Sequence, residues 1–344
     1  MNNYMIYVFD NLIKTTIVCS LGICLLLFLK RYVFKKFSKR FNYYIWVVIV
    51  FRMLLFLFNY TVIYEVKEPK ENIIGNNLIR IDISIDNNFM LYLAYLWLVV
   101  TIVIAVYTFV KYTRFKNLVV DVSYDIEDND VNCIYKNLLK KLNIKKKIEL
   151  RSSDELISPA GMGLFKSYIF LPDYPYSKDE LNWILKHELM HFKNKDILIK
   201  FLVFSVKTIY WFNPLVYIMS NKVNLDCELC CDESVLMDCS LEDKKEYALA
   251  LIKSIKLSKN YNSGILTTEF NKTSLEKRLD SIVKKKGKSG ILVLLILFTL
   301  FSVTYFNFES ISFDNSNSLR NIGILEKTGA DLKEEDDISV RVVN

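Results

Sequence analysis

Histidine, glycine and proline are scarce in this chain. Its 344 residues include 2 histidines, 9 glycines and 5 prolines, whereas 52% are hydrophobic and 14% aromatic. This composition is richer in apolar residues than that of an ordinary soluble domain, so a lipid bilayer is the expected solvent for part of the chain. The extreme N-terminus lacks the basic region of a cleavable signal. The first apolar run is therefore expected to remain as an anchor.

Four apolar runs predict membrane-crossing helices. The clearest, residues 89–110, contains no charged side chain and is long enough to cross the hydrocarbon core. The other three are residues 6–29, 41–64 and 291–308. Within the first of them, Asp10 and Lys14 are spaced so that they can neutralise each other. The second contains Arg52, and an arginine at this depth is usually functional or paired within the helix bundle.

Basic residues beside these runs orient the chain. Residues 30–40 carry six lysines and arginines and no acid, as cytoplasmic loops do. Acidic residues predominate between the second and third runs, and basic residues again border residues 111–289. Both termini are therefore expected outside and the large region 111–289 inside. These flanking residues account for much of the formal charge of +7, so no direct nucleic-acid partner is expected.

No cysteine falls in a segment that is expected outside. All seven lie in predicted membrane or cytoplasmic segments. A disulfide framework is therefore not expected.

A helix with a clear start signal carries the candidate chemistry. Ser177 and Glu180 have the S-x-x-E spacing of a capping box. His187 and His191 then fall one turn apart on one helix face, where two imidazoles can bind one Zn²⁺. Glu188 lies beside them and can take a proton from a water molecule whose pKa zinc has lowered. Because the chain has no other histidines, the HELMH motif predicts a zinc peptidase site.

A catalytic zinc needs a third protein ligand, which here must be a carboxylate or a thiolate. The helix-compatible segment 224–238 presents Glu228 and Asp232 one turn apart. We expect Glu228 to bind the metal and Asp232 to orient a ligating imidazole from behind. Thiolates also suit zinc, so three cysteines are competing ligands: Cys227, Cys230 and Cys231.

Residues 197–220 are nearly apolar enough to form a fifth span. Two lysines interrupt the run, and Asn213 and Pro214 would break its helix. A full crossing would also leave Glu228 about 30 Å of bilayer away from His187. We therefore expect a helix that packs against the domain and lies partly in the cytoplasmic leaflet.

Three segments carry a family resemblance: HELMH at 187–191, WFNPLVY at 211–217 and ELCCDESV at 228–235. In this order the chain resembles the BlaR1/MecR1-like membrane metallopeptidases of family M56. The resemblance implies a bacterial, α-helical membrane protein with four transmembrane helices and a cytoplasmic, mainly helical α+β zincin (gluzincin-like) domain between the third and fourth. It also implies that His187, His191 and Glu228 bind Zn²⁺, that Glu188 is catalytic, and that Asp232 matches the family's following aspartate.

The same resemblance divides the chain and suggests its role. The implied segments are 1–110 with three transmembrane helices, 111–289 with the peptidase domain, 290–308 with the fourth helix, and a short outer tail at 309–344. The implied function is signalling by cleavage of a cytoplasmic protein substrate, such as a winged-helix transcriptional repressor, or of the chain itself near residues 267–272. Residues 161–172 are the implied edge strand for a peptide substrate. A homodimer is compatible with this scheme.

One departure from the family pattern limits the resemblance. The best-known members carry a large penicillin-binding sensor domain after the fourth span, whereas the tail 309–344 lacks its length and motifs. We therefore expect this tail to be flexible or a small docking segment, and not to be acylated by β-lactams.

Two other functions stay open. A quality-control peptidase of the HtpX or Ste24 type also pairs HExxH with a downstream glutamate, although the NPLVY and ELCCD segments argue against it. A zinc-stabilised receptor that signals by conformational change would need no catalysis.

Overall fold

Long helices dominate the N-terminal part of the molecule. The computed structural model describes residues 2–58, 60–66, 87–154, 156, 158–259, 265–284, 287–290, 293, 306–312 and 340–343. Helix α1 spans Asn2–Tyr32, α2 spans Lys39–Leu54 and α3 spans Asn87–Asp121. Within the described residues, α1 and nearly all of α3 are long and apolar enough to cross a membrane, by length and composition. The chain is therefore a mostly helical protein with two candidate membrane spans.

The second predicted span is a shorter helix than the sequence indicates. Helix α2 has 16 residues and ends at Leu54 rather than at residue 64. After a 3-10 turn the chain continues as strand β1 (Tyr60–Val66), whose β-branched and aromatic residues favour an extended backbone. Arg52, in the last turn of α2, is 3% exposed and donates to Thr15 Oγ1 of α1 at 3.5 Å. The deep arginine therefore has a partner within the helix bundle.

Two pieces of the C-terminal segment form a small sheet with β1. Strand β6 (Phe306–Ser312) pairs with β1 in parallel and strand β7 (Val340–Val343) pairs with it antiparallel. Part of the tail that was predicted to be flexible or a docking segment is thus paired with strand β1. The fourth predicted span, 291–308, lies outside the described residues except for 293 and 306–308. Four crossings therefore stay a prediction.

A second sheet and a set of helices build the remainder of the described structure. Strands β2 (Tyr124–Asp125), β3 (Ile148–Ser153), β4 (Ala160–Met162) and β5 (Ser167–Pro172) lie in the order β2-β3-β5-β4. The helices are α4 (Asn129–Lys141), α5 (Lys178–Lys193), α6 (Asp196–Ile209), α7 (Pro214–Val235), α8 (Leu241–Lys259) and α9 (Ile265–Val283). Helix α3 continues without a break past the predicted domain boundary at residue 111.

The run 197–220 folds as two helices that contact each other. Asn213 caps α7, accepting a hydrogen bond from Leu215 N at 3.0 Å, and Pro214 occupies the first helical position. The predicted break at these two residues is confirmed. Asn213 Nδ2 also donates to Ser20 Oγ at 2.8 Å, which ties the turn to α1. How deep this pair lies in a leaflet stays a prediction.

Helix α7 is shared by two hydrophobic cores. The membrane-side core contains buried side chains of α1, α2, α3, α6 and α7, among them Trp46, Tyr210 and Met219. The sheet-side core contains buried side chains of β3, β5 and helices α4, α5, α7, α8 and α9. Cys227 and Cys230 pack in the first core and Cys231 in the second, because successive residues of a helix point to different faces.

Candidate metal centre

Helix α5 places both histidines side by side. The predicted capping box is confirmed: Ser177 Oγ accepts from Glu180 N at 3.3 Å, and the Glu180 carboxylate accepts from Ser177 N at 3.0 Å. His187 and His191, one turn apart, bring their Nε2 atoms to 3.2 Å. Each histidine is 9% exposed. Two nearly buried nitrogen atoms therefore converge on one point.

Helix α7 supplies the carboxylate that faces both imidazoles. Glu228 Oε2 lies 3.5 Å from His187 Nε2, and Glu228 Oε1 lies 3.7 Å from His191 Nε2. Two imidazoles and one carboxylate are the protein ligands of a common kind of catalytic zinc site, in which the fourth position stays open for water or substrate. The donor set that the sequence predicted is therefore assembled in one place, and it fits zinc.

The competing cysteines lie behind the imidazoles. Cys231 Sγ is 3.4 Å from His187 Nδ1, and Cys227 Sγ is 3.9 Å from His191 Nδ1. Among the described residues, two groups are compact enough to hold an ion: His187 with His191 and Cys231, and His191 with Cys227 and Glu228. A thiolate ligand would draw the ion towards the Nδ1 side of a ring, whereas Glu228 faces both Nε2 atoms. The geometry thus favours Glu228.

Asp196 supports His191 from behind, and sequence reasoning missed it. Its Oδ2 lies 2.7 Å from His191 Nδ1, and the residue is 1% exposed. Lys195, with φ of 60°, lets α6 begin directly after α5 and so brings Asp196 back to the ring. A carboxylate at Nδ1 sets the tautomer that leaves Nε2 free for a metal. The only sequence feature that could have indicated this role is that Asp196 is an acidic residue closely following the HELMH motif.

Asp232 reaches His187 through Tyr247. The Tyr247 hydroxyl lies 2.8 Å from His187 Nδ1 and donates to Asp232 Oδ1. Arg278 holds the same carboxylate from Nε to Oδ2 at 2.8 Å and from Nη2 to Oδ1 at 2.7 Å. The sequence suggested Asp232 but missed Tyr247 and Arg278, because these residues come from α8 and α9 and no local spacing links them to His187.

Neighbouring charges shift the pKa values of Glu228 and of both histidines. Burial opposes ionisation of Glu228, but His191, His187 and Arg278 hold the pKa of its carboxyl well below its usual range. Burial likewise lowers the pKa of His187, but Cys231 and Glu228 outweigh it and raise this pKa to about 10. The pKa of His191 is also raised, because Cys231, Glu228 and Asp196 outweigh its burial. A metal ion would therefore compete with protons for both rings.

A cleft of about 350 Å³ borders the histidines, and the edge strand β4 forms part of its wall. A Cβ at Gly161 would lie 2.9 Å from Phe192 Cε2, so glycine permits the strand to lie against the Phe192 ring, next to Glu188. The implied edge strand 161–172 is in fact two strands. Gly163, with φ of 95°, lies between them, and only β4 is at the edge while β5 is interior.

Lys200 of α6 also lines the cleft. Its Nζ lies 3.7 Å from Glu228 Oε1, and its side chain is 44% exposed. Burial lowers the pKa of this ammonium group, but Glu228 and other neighbouring acidic groups raise it further, so its pKa lies above the usual value. The cleft thus holds a protonated lysine next to the converging ligands.

Comparisons with known proteins match this chain to one peptidase family. The profile of the family described as BlaR1 peptidase M56 matches residues 10–282. The chain is 27% identical over 183 residues to "Regulatory protein BlaR1" of Bacillus licheniformis and 30% identical over 214 residues to the protein of the same name from Staphylococcus aureus. It is 32% identical over 154 residues to "Methicillin resistance mecR1 protein" of S. aureus strain Mu50.

These alignments cover 50%, 59% and 43% of this chain but 30%, 36% and 26% of the three relatives. The chain thus spans about a third of the length of the curated relatives that it matches. The family match covers most of the chain, including HELMH, the turn between α6 and α7, and Glu228. The chain belongs to the BlaR1 peptidase M56 family.

Proposed function

We propose that this chain is a membrane-embedded zinc endopeptidase of a signalling system that cleaves a cytoplasmic repressor, itself, or both. The observation that carries the proposal is the convergence of His187 Nε2, His191 Nε2 and the Glu228 carboxylate beside a cleft. The similarity to proteins named as regulatory supports a signalling role.

The formal charges around this point favour a divalent cation. Four carboxylates lie in or behind the site: Glu188, Asp196, Glu228 and Asp232. They face two cationic side chains, Lys200 and Arg278. With both imidazoles neutral, as metal ligands must be, four negative charges against two positive charges leave an excess of two, which Zn²⁺ would neutralise.

His187, His191 and Glu228 would hold the zinc, while Glu188 would handle the proton. Bound there, zinc would polarise the scissile carbonyl and lower the pKa of a water molecule. Glu188 would accept a proton as the water oxygen bonds to the carbonyl carbon, and would pass it to the leaving amine as the C–N bond breaks. Asp196 and Tyr247 would hold the imidazoles in the ligating orientation.

Strand β4 would align the substrate. Its partner β5 occupies one side, which leaves the other side of β4 as a sheet edge to which an extended peptide can add. The possible self-cleavage segment 267–272 lies within α9, so cleavage there would require this part of the helix to unwind first.

The decisive experiment compares wild type with Glu188→Gln in cells. We expect fragments of one cytoplasmic protein, of the chain, or of both to disappear in the variant, while zinc content is kept. Asp179→Asn, an exposed carboxylate on the same helix, is the matched control and should cleave like wild type. Undiminished proteolysis by Glu188→Gln would contradict the mechanism. Signalling that persists without proteolysis would favour the zinc-stabilised receptor.

A further inference from the structure

Hydrolysis of a peptide bond places negative charge on the carbonyl oxygen, and enzymes of this kind need a hydrogen-bond donor aimed at it. Histidine and tyrosine are suitable donors. Both histidines of this chain are taken by the converging ligand set. Tyr247 is engaged behind His187, between Nδ1 and Asp232. None of these three side chains, His187, His191 and Tyr247, has a donor that faces the open side of the site.

Arg278 is close enough but already committed. Its Nε and Nη2 donate to Asp232, and its Nη1 lies 3.2 Å from Glu228 Oε2. Each of its three nitrogen atoms therefore serves a carboxylate, and the side chain is about 10% exposed. Redirecting it towards a substrate would leave Asp232 as a buried carboxylate without this partner, which is costly.

Lys200 has donors to spare. Its carboxylate partner, Glu228 Oε1, lies at 3.7 Å, beyond ordinary hydrogen-bond length, and the ammonium carries three N–H groups. The same Glu228 oxygen lies 3.7 Å from His191 Nε2, so the ammonium group and the open side of the ligand set are neighbours. The side chain lines the cleft that also contains Glu188 and Gly161.

The start of α6 holds Lys200 in register with the metal ligands. Asp196 and Lys200 are one turn apart on this helix, so both fall on the same face. Asp196 bonds to His191, which sets the rotation of α6 about its axis relative to α5. This rotation directs Lys200 to the cleft.

We propose that Lys200 is a catalytic residue that donates a hydrogen bond from Nζ to the oxyanion formed when water adds to the scissile carbonyl. No proton leaves Lys200: the carbonyl π electrons move to oxygen as the new C–O bond forms, and the ammonium group stabilises that charge until the C–N bond breaks. This inference rests on the proposed peptidase function.

The test uses the full-length chain in nanodiscs with β-casein as the substrate. We expect Lys200→Met to lower kcat about 10²- to 10³-fold with little change in KM, the usual effect of removing one such donor. Lys200→Arg should recover most of the rate. Lys207→Met is the matched control, because Lys207 is also on α6 but lies over the Tyr217 ring, 5.3 Å from its centroid; it should cleave like wild type.

Two binding measurements separate catalysis from structure. Zinc affinity, measured by chelator competition, should be nearly equal in wild type and Lys200→Met. A phosphinic peptide that spans the cleaved casein bond mimics the tetrahedral state, and its affinity should fall about as much as kcat does.

Wild-type kcat in Lys200→Met, beside an inactive Glu188→Gln, would overturn the role of Lys200 alone. A fall in zinc affinity that parallels the fall in kcat would also overturn this role. If Lys200→Met does not fold, Lys200→Gln is the second variant for the same measurements. Equal cleavage by Glu188→Gln and wild type would instead contradict the peptidase function itself.

Discussion

The two faces of helix α7 carry similar side chains in very different settings. Towards the membrane-side core, Asp226 accepts from Trp46 Nε1 at 2.7 Å and forms an ion pair with Lys30. Towards the sheet-side core, Glu228 meets the two imidazoles and Asp232 is held by Arg278. One acidic face thus joins α7 to α1 and α2, whereas the other face builds the candidate metal centre.

This difference shows how one helix can serve two parts of the molecule. Asp226 and Glu228 are separated by one residue, so any displacement of α1 or α2 that moves Asp226 also moves Glu228. The membrane-side contacts set the position of α7, and the ligand set depends on that position. Substitutions on each face test whether the two faces are separable.

The largest effect is expected from Glu228→Gln, which removes the proposed carboxylate ligand and keeps the side-chain shape. Zinc affinity should fall by more than the roughly 10- to 100-fold that loss of an outer-shell partner costs. Chelator competition at constant pH measures it. Cys231→Ala on the same face is the control and should lose less than this range. A greater loss in Cys231→Ala than in Glu228→Gln would assign a thiolate ligand and contradict the proposed set.

The stability should depend on pH more steeply without metal than with it. Without zinc, the raised pKa of His187, about 10, contributes stability below the unfolded value of about 6.5, and this stability is lost as pH rises towards 10. With zinc, binding must displace protons from the imidazoles, so the stability gained from zinc grows as pH rises and offsets that decline. Thermal unfolding with EDTA or with zinc, from pH 6.5 to 9, measures both trends.

Glu228→Gln is the control for this comparison, and its zinc-dependent rise in stability should be much smaller. Parallel slopes in EDTA and in zinc would show that the two imidazoles do not bind the ion.

The smallest effects distinguish the two aspartates of α7. Asp232→Asn should weaken zinc binding about 10- to 100-fold, because the Tyr247 hydroxyl loses its carboxylate acceptor. Asp226→Asn should keep the zinc affinity but lower stability by about 2 kcal/mol, less than a fully buried pair because Lys30 and Asp226 are 15% and 14% exposed. Chelator competition and thermal unfolding measure the two effects. Equal zinc loss in both variants would show that the faces are not separable.

Much of the local structure could be predicted from sequence. The capping box at Ser177, the helix that carries HELMH, and the break at Asn213 and Pro214 depend on neighbours within one or two turns, and each is confirmed. Strand β1 was missed, because its apolar residues suit a membrane helix and a strand equally well. Its pairing with β6 and β7 depends on residues far along the chain.

The sequence by itself determined which residues could bind zinc, because only two histidines exist and helix periodicity puts them on one face. It also narrowed the third ligand to a few side chains of α7. Only the tertiary structure favours one of these, since the approach of α7 to α5 turns Glu228 to the Nε2 atoms and the cysteines to the rear. Asp196, Tyr247, Arg278 and Lys200 likewise gain their places from helix packing, which brings together residues that no spacing rule connects.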